Sequence, residues 1–300
     1  MRNNKCFILV YYGPWPVWFN RFIQSCRFNK EFDFLIFSDN EVQNEEGGNV
    51  FFYKLPFSDF LKLAEERLGF SIAIDNPYKL CDLKIVYGLI LQKIVSPYEF
   101  WGHLDLDVLL GDLKSFFSSD NLNRNDIIST RKEIINGSCT LYRNVDKVNK
   151  LYQQIPNFEF LVNSLDSHYI DEYYMTEVVK DNISKGILQV CFQEMLFEDA
   201  LAEIRGKNFW AITWNKGKMK EFLTCKSYAY FHFIHSKRRP MFLHEEIEKT
   251  NYKYLIFDQG WVSYSLWLHL KYIIRAFVRR PTYYAKFWLK KVFYDKDKVY

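Results

Sequence analysis

Asp105 and Asp107 are carboxylates one residue apart in the segment Tyr98-Glu-Phe-Trp-Gly-His-Leu-Asp105-Leu-Asp107-Val-Leu-Leu-Gly111-Asp112. Leu104, Leu106, Val108, Leu109 and Leu110 are suited to a buried strand, whereas an aspartate is too polar to bury without a partner. In a strand, residues i and i+2 point to the same side, so the spacing predicts that both carboxylates face one spot. Oxygen ligands so arranged suit a hard divalent cation, Mg²⁺ or Mn²⁺, with water and a substrate phosphate completing the shell. The ordinary alternative is a strand end capped by two solvated aspartates.

Other segments offer matching chemistry. Lys237-Arg238-Arg239 is a natural phosphate partner, or else a solvated basic turn. Lys79 and Asp82, three apart at a helix start, can meet on one face as a nucleotide contact or as a plain ion pair. Asp39 follows a strand and allows the same two readings. Asp171 and Glu172, in Ser167-His-Tyr-Ile-Asp171-Glu172-Tyr173, set carboxylates among aromatics able to stack on sugar rings. One of them could be a general base or position an acceptor, although acids also favour helix starts. Asn136-Gly137-Ser138 would allow close approach to the backbone, and Glu194, Glu198 and Asp199 are further carboxylate candidates.

The elements that must hold these residues alternate. Lys5–Tyr12 reads as a buried strand ended by Gly13-Pro14, Trp18–Arg27 as a short helix and Phe32–Phe37 as a strand closed by Ser38-Asp39-Asn40. Val50–Leu55 follows as a strand, Pro56–Leu68 and Leu80–Val95 as helices, and Phe100–Leu110 as the strand bearing the carboxylates. Such alternation predicts an α/β fold, a mostly parallel sheet flanked by helices. Ligands in such sheets sit beyond the carboxyl ends of strands, where Gly13, Asp39, Asp105 and Asp107 fall. Later segments are less regular: Asn136–Arg143 and Lys226–Ile234 read as strands, Asp146–Gln154 and Asp171–Asp181 as helices.

Tyr11-Tyr12-Gly13, Pro77-Tyr-Lys79-Leu-Cys-Asp82-Leu-Lys84, Gly102-His-Leu-Asp105-Leu-Asp107 and His232-Phe-Ile-His235-Ser-Lys237 occur in an order that resembles GT-A-fold glycosyltransferases. The run from Tyr78 to Asp107 looks like the retaining members that modify sugar polymers and lipid-linked glycans. The stretches Tyr12-Gly13…Pro16…Trp18-Phe19…Ser25-Cys26 and Pro77–Asp82 are similar to an uncharacterised bacterial branch associated with polysaccharide assembly. The resemblance spans roughly residues 5–240. It implies a GT-A, Rossmann-like sheet and a metal-dependent transfer of sugar from a nucleotide-sugar donor to a glycan or lipid-linked acceptor. A retaining outcome is favoured over an inverting one. Asp107 would bind the Mn²⁺ or Mg²⁺ directly, Asp105 would contact ribose or complete the shell, and His232 would be the later ligand. Tyr12, Gly13, Asp39, Lys79, Asp82 and Lys237 would contact the donor, with Asp171 and Glu172 on the acceptor side. A core histidine between Phe231 and Phe233 is the alternative for His232.

Aromatics at 19% and charged residues at 25% describe a globular chain. Six scattered cysteines without a Cys-x-x-Cys pair speak against a zinc knuckle and for reduced thiols in a cytoplasmic protein. The apolar run after Met1-Arg-Asn-Asn-Lys is a first strand, too short for a signal peptide or a membrane span. Of the net +4, residues 261–300 carry nine Lys and Arg against Asp295 and Asp297, or +7, leaving −3 elsewhere. This divides the chain into a catalytic domain at 1–245 and a basic, aromatic helical tail at 246–300. Lys271, Arg275, Arg279, Lys286 and Lys290 fall within an arc of about 100° on a helix, and Pro281 should kink it. That pattern predicts an amphipathic helix on an anionic membrane, with the enzyme peripheral on its inner face; packing on the catalytic domain is the rival reading, and nucleic-acid binding is not expected. A metal-dependent nucleotidyltransferase and a non-catalytic carbohydrate-binding or membrane scaffold protein are the alternative functions. Tyr12-Gly13-Pro14-Trp15-Pro16 is not the Gly-rich phosphate loop that would support the former, and the latter leaves the acidic pair without a purpose.

Overall fold

Both faces of the first strands are apolar. In β1 (Lys5–Val10), Cys6 and Ile8 enter one core while Phe7 and Leu9 enter another. β2 (Asp33–Ser38) repeats this, with Leu35 and Phe37 opposed to Phe34 and Ile36. Strands of this kind belong inside a sheet that is covered on both sides. The computed structural model, which describes residues 3–41, 47–204, 211–222, 224–238, 253–257 and 260–263, shows such a sheet. Its seven strands lie in the order β3-β2-β1-β4-β7-β6-β8. Here β3 is Val50–Lys54, β4 Phe100–Leu104, β6 Ile127–Ser129, β7 Cys139–Arg143 and β8 Val190–Phe192. β3, β2, β1 and β4 are parallel, β7 is antiparallel to β4 and β6, and β8 is parallel to β6. Helix α1 (Phe19–Arg27) buries Phe19, Phe22, Ile23 and Cys26 on one face, and α2 (Phe57–Leu68) buries Phe60 and Ala64 on the other. The expected α/β class, a mostly parallel sheet flanked by helices, is the class observed.

The single strand expected over Phe100–Leu110 is two strands in different sheets. β4 ends at Leu104, and β5 (Val108–Leu110) leaves for a three-stranded sheet with β9 (Leu196–Glu198) and β12 (Tyr230–His232), in the order β5-β12-β9. Asp105–Asp107 is the bend between sheets, so the carboxylates converge because the chain turns and not because of strand alternation. Unbroken apolar character hides such a switch, since both halves are buried. Leu80–Val95 is likewise not one helix: a 3₁₀ helix, Pro77–Val86, precedes two single α-turns. The segment at Asp171 opens with a π-turn, Ile170–Tyr174, before the helix Met175–Ser184.

Strands on the two sides of residue 245 pair with one another. β10 (Ala211–Asn215) and β11 (Lys218–Glu221) form a hairpin, and β10 also pairs with β13 (Lys253–Phe257), which pairs with β14 (Gly260–Ser263). Trp261 therefore lies in a strand, not at a helix start; four residues fit either pattern, and pairing with β13 decides. A third core, including Leu109, Phe197, Trp214, Met219, Phe231 and Ile256, joins the two smaller sheets, and Trp214 Nε1 donates to the Leu110 carbonyl at 2.7 Å. The basic stripe from Lys271 to Lys290 lies outside the described residues. Among those described, no helix is long and apolar enough to cross a membrane.

Candidate active site

The bend after β4 is held from three sides. Asp105 N–H donates to the Ser138 carbonyl at 3.0 Å, extending the β4–β7 ladder by one residue. Leu106 is buried, and its carbonyl accepts from Trp18 Nε1 at 3.0 Å. Beyond it, the antiparallel register of β5 with β12 sets Val108 opposite His232, and Phe233 N–H donates to the Asp107 carbonyl at 3.1 Å. The turn thus lifts both carboxylates toward the imidazole although 125 positions separate Asp107 from His232. One ligand atom from each of Asp105, Asp107 and His232 lies within 4.8 Å of the others. His232 Nε2 is 3.5 Å from Asp107 Oδ1 and 3.9 Å from Asp105 Oδ2.

The three residues border a cleft of 590 Å³ beyond the carboxyl ends of β1 and β4, whose wall also includes Tyr11, Trp18, Lys84, Asp171, Glu172 and Lys237. Its charges are arranged in pairs. Lys84 Nζ donates to Asp105 Oδ1 at 2.5 Å and to the Gly137 carbonyl at 2.8 Å, and lies 3.4 Å from Asp171 Oδ2. Lys237 Nζ meets Asp107 Oδ2 at 2.5 Å. Burial opposes the charge on Lys84, but Asp105 and Asp171 hold its pKa well above the ordinary lysine value. Burial would raise the Asp107 carboxyl, yet His232 and Lys237 hold it far below the usual carboxylate range. Burial likewise works against an imidazolium at His232; Asp107, with Glu198 and Asp105, outweighs it and raises the pKa to about 10.

Two carboxylates and one imidazole, without a thiolate, form a donor set that fits Mn²⁺ or Mg²⁺. The excess negative charge that keeps His232 protonated is the charge a divalent cation would neutralise on replacing that proton.

Asp171 and Glu172 line the same cleft, and the glycine at 137 leaves room for their carboxylates. A Cβ there would lie 2.5 Å from Asp171 Oδ2 and 3.1 Å from Glu172 Oε1. Gly137 N–H instead donates to Glu172 Oε1 at 3.1 Å. Burial pushes the Asp171 carboxyl up to about 7, against the opposing pull of Lys84. Behind Gly137, the buried Tyr230 hydroxyl binds Thr130 Oγ1, Ser138 Oγ and Asn136 Nδ2, each at 2.8 Å.

Five expected donor contacts are placed elsewhere. Tyr12 turns away from the cleft to pack on Phe57 and Phe60, because alternation along the chain gives that wall to Tyr11. The Gly13 carbonyl is held by Asn40 Nδ2 at 2.7 Å, and Asp39 is exposed; neither lines the cleft. Lys79 and Asp82 are buried as a 2.7 Å pair. Lys79 also donates to the carbonyls of Leu161 at 2.8 Å and Asp166 at 2.5 Å, while Asp82 accepts from His168 N–H at 3.2 Å and Ile170 N–H at 3.1 Å. That pair staples the 161–170 segment, and Lys84 is the cleft's lysine from this helix. Lys84 stands in the same motif as Lys79; its partner Asp105, 21 positions later, is outside the reach of an i,i+3 or i,i+4 argument.

No curated protein matches the chain. Similar solved structures include the galactosyltransferase LgtC in complex with donor and acceptor sugar analogues, at 12% identity and TM-score 0.42, covering 76% of this chain and 87% of that one. A glycosyltransferase involved in glycosylation of the major capsid of PBCV-1 is similar at 9% identity and TM-score 0.39, over 77% of this chain and 93% of that one. The glycosyltransferase GlyE of Streptococcus pneumoniae TIGR4 is similar at 13% identity and TM-score 0.40, over 82% of this chain and 57% of that one. A family described as "Family of unknown function (DUF6625)" matches residues 7–265, from β1 through β14, and the chain belongs to that family.

Proposed function

We propose that the chain is a metal-dependent glycosyltransferase, moving a sugar from a nucleotide-sugar donor to a glycan or lipid-linked acceptor. One observation carries the reading: Asp105, Asp107 and His232 converge within 4.8 Å at a cleft that also holds Lys237, Asp171 and Glu172. The resemblance of these segments to GT-A-fold enzymes supports it. Transfer breaks the bond between the sugar's anomeric carbon and the nucleoside diphosphate, which leaves as the acceptor oxygen bonds that carbon. Mn²⁺ or Mg²⁺ held by the three residues would supply Lewis-acid stabilisation of the charge on the leaving group. Lys237, paired with Asp107 at the edge of the cleft, would re-pair with a donor phosphate. Asp171 can hold or release a proton near neutrality, which suits a group that meets an acceptor hydroxyl. Glu172, tethered to Gly137 N–H, would orient the sugar beside it.

The basic residues after Ser263 would hold the cleft over an anionic membrane carrying the acceptor in surface-polysaccharide synthesis. In flotation with anionic liposomes the full chain should rise, weakening with salt, and a chain ending at Ser263 should not.

The reading is tested by incubating the purified full chain with a panel of nucleotide sugars and Mn²⁺ or Mg²⁺. Expected is hydrolysis of one donor, lost with chelator and in Asp107→Asn. Hydrolysis that is indifferent to chelator would remove the metal, and hydrolysis of no donor by a chain that binds metal would remove glycosyl transfer. The anomer released in the first minutes, followed by proton NMR, distinguishes the favoured retaining outcome from an inverting one.

A further inference from the structure

Glu198 is outside the cleft yet touches the site from behind. It is the last residue of β9, and the parallel register of β9 with β12 sets it directly opposite His232. Its Oε2 is 3.4 Å from His232 Nδ1, a charge contact on the side of the ring remote from Asp105 and Asp107. The same carboxylate receives the Arg131 guanidinium. Burial opposes charge on Glu198, but His232 and Arg131 hold its carboxyl below the usual value. Its neighbour Asp199 has a different task, accepting from His235 N–H at 3.1 Å and Ser236 N–H at 2.6 Å to shape the turn that carries Lys237.

An imidazole can give a lone pair to a cation from Nε2 only if its remaining proton is on Nδ1, and the group facing Nδ1 decides that. We propose that Glu198 is a positioning residue for metal binding: it fixes the His232 ring with Nδ1–H toward its own carboxylate, so that Nε2 is presented beside Asp105 and Asp107. The ion pair with Arg131 holds the Glu198 carboxylate in place. The inference rests on the metal site proposed above and assigns to it two residues that do not line the cleft.

The test is a titration of the full chain with Mn²⁺ alone, free Mn²⁺ being read by electron paramagnetic resonance. The unmodified chain should bind Mn²⁺, Asp107→Asn should not, and Glu198→Gln should bind about 10–100-fold more weakly. Glu198→Gln leaves the half-buried Arg131 without its counter-charge and is expected to lose some stability for that reason. The double variant Glu198→Gln/Arg131→Gln removes this conflict and should show the same loss of Mn²⁺ affinity at a melting temperature near that of the parent. Histidine-selective ¹⁵N spectra of Cd²⁺-loaded protein, with the His232 signal assigned by its loss in His232→Asn, should show Nδ1 protonated and Nε2 ligated in the parent and a loss of that pattern in both Glu198 variants. Folded variants that bind Mn²⁺ within about twofold of the parent would overturn the role of Glu198 and leave the metal site standing. A parent chain that binds no more Mn²⁺ than Asp107→Asn would overturn the metal site itself.

Discussion

Lys79 with Asp82, and Asp105 and Asp107 with their lysines, are both acid–base clusters on elements that lead to the cleft, and they close in different ways. The first is sealed by backbone: the carbonyls of Leu161 and Asp166 take up the ammonium, and the amides of His168 and Ile170 take up the carboxylate. The side chains of Lys79 and Asp82 are 7% and 0% exposed. In the second, the carboxylates themselves are met by the side chains of Lys84, Lys237 and His232, with Asp105 25% and Asp107 13% exposed. Backbone partners cannot leave without unfolding the segment, whereas a side-chain ammonium can yield to an incoming cation or phosphate. A charge cluster therefore has room for a ligand when its present partners are themselves able to move.

This contrast can be broken at either end. The largest expected effect is at Asp107: Asp107→Asn should lower donor turnover by on the order of 10³-fold or more, with an unchanged far-UV circular dichroism spectrum. Mn²⁺ should raise the melting temperature of the parent and not that of this variant. Lys79→Met should do the reverse. Breaking a buried pair costs about 3–5 kcal/mol, so chemical denaturation should show a large loss of stability. The folded fraction should keep its Mn²⁺-induced rise in melting temperature; a loss of Mn²⁺ binding there would return Lys79 to the site.

The sign of a pH effect separates the clusters further. Asp171 is the acid of the open region whose pKa is raised, from 3.8 to about 7. Between those values the unfolded chain has released the proton that the native chain still holds, so native stability from this group is full below about pH 4 and is lost as pH rises to about 7. Asp171→Asn removes that loss. Its stability relative to the parent should climb across the interval by a few kcal/mol, at about 1.4 kcal/mol for each unit of separation, and stay level above it. Denaturant midpoints of both proteins at pH 4, 6 and 8 measure this, and parallel curves would remove the raised pKa. The smallest effect should come from Tyr230→Phe, which strips one hydroxyl from the buried network behind Gly137. A loss of about 1–3 kcal/mol is expected, with Mn²⁺ affinity unchanged.

Sequence patterns disclosed one part of this arrangement well. Apolar runs and turn residues delimited β1, β2, β3, α1 and α2 to within two residues, because each is buried against the same continuous sheet. The pairing of Asp105 with Asp107 was legible from charge set in apolar surroundings, whereas Lys237 was read only as a phosphate partner. Sheet switching was not, since Leu104 and Val108 are equally buried in different sheets. Nor were the roles of Lys84 and Glu198, whose partners are 21 and 34 positions away in Asp105 and His232. Lys79 and Asp82 misled because the carbonyls and amides that seal them leave no trace in side-chain spacing. The short strands β6, β8 and β9 draw their identity from pairing and not from a run of their own.

The small sheet β5-β12-β9 has a consequence for how the chain matures. During synthesis Lys84 emerges 21 positions before Asp105, so the first carboxylate meets its counter-charge almost at once. Asp107 must wait for β12, which brings His232 and then Lys237 in a single late segment. A ribosome-bound chain that has not yet exposed β12 has an acidic bend and no nitrogen ligand, and a nascent fragment of that length would be blind to metal. If the cation is held as proposed, its acquisition would report that the chain has been read out and folded through β12.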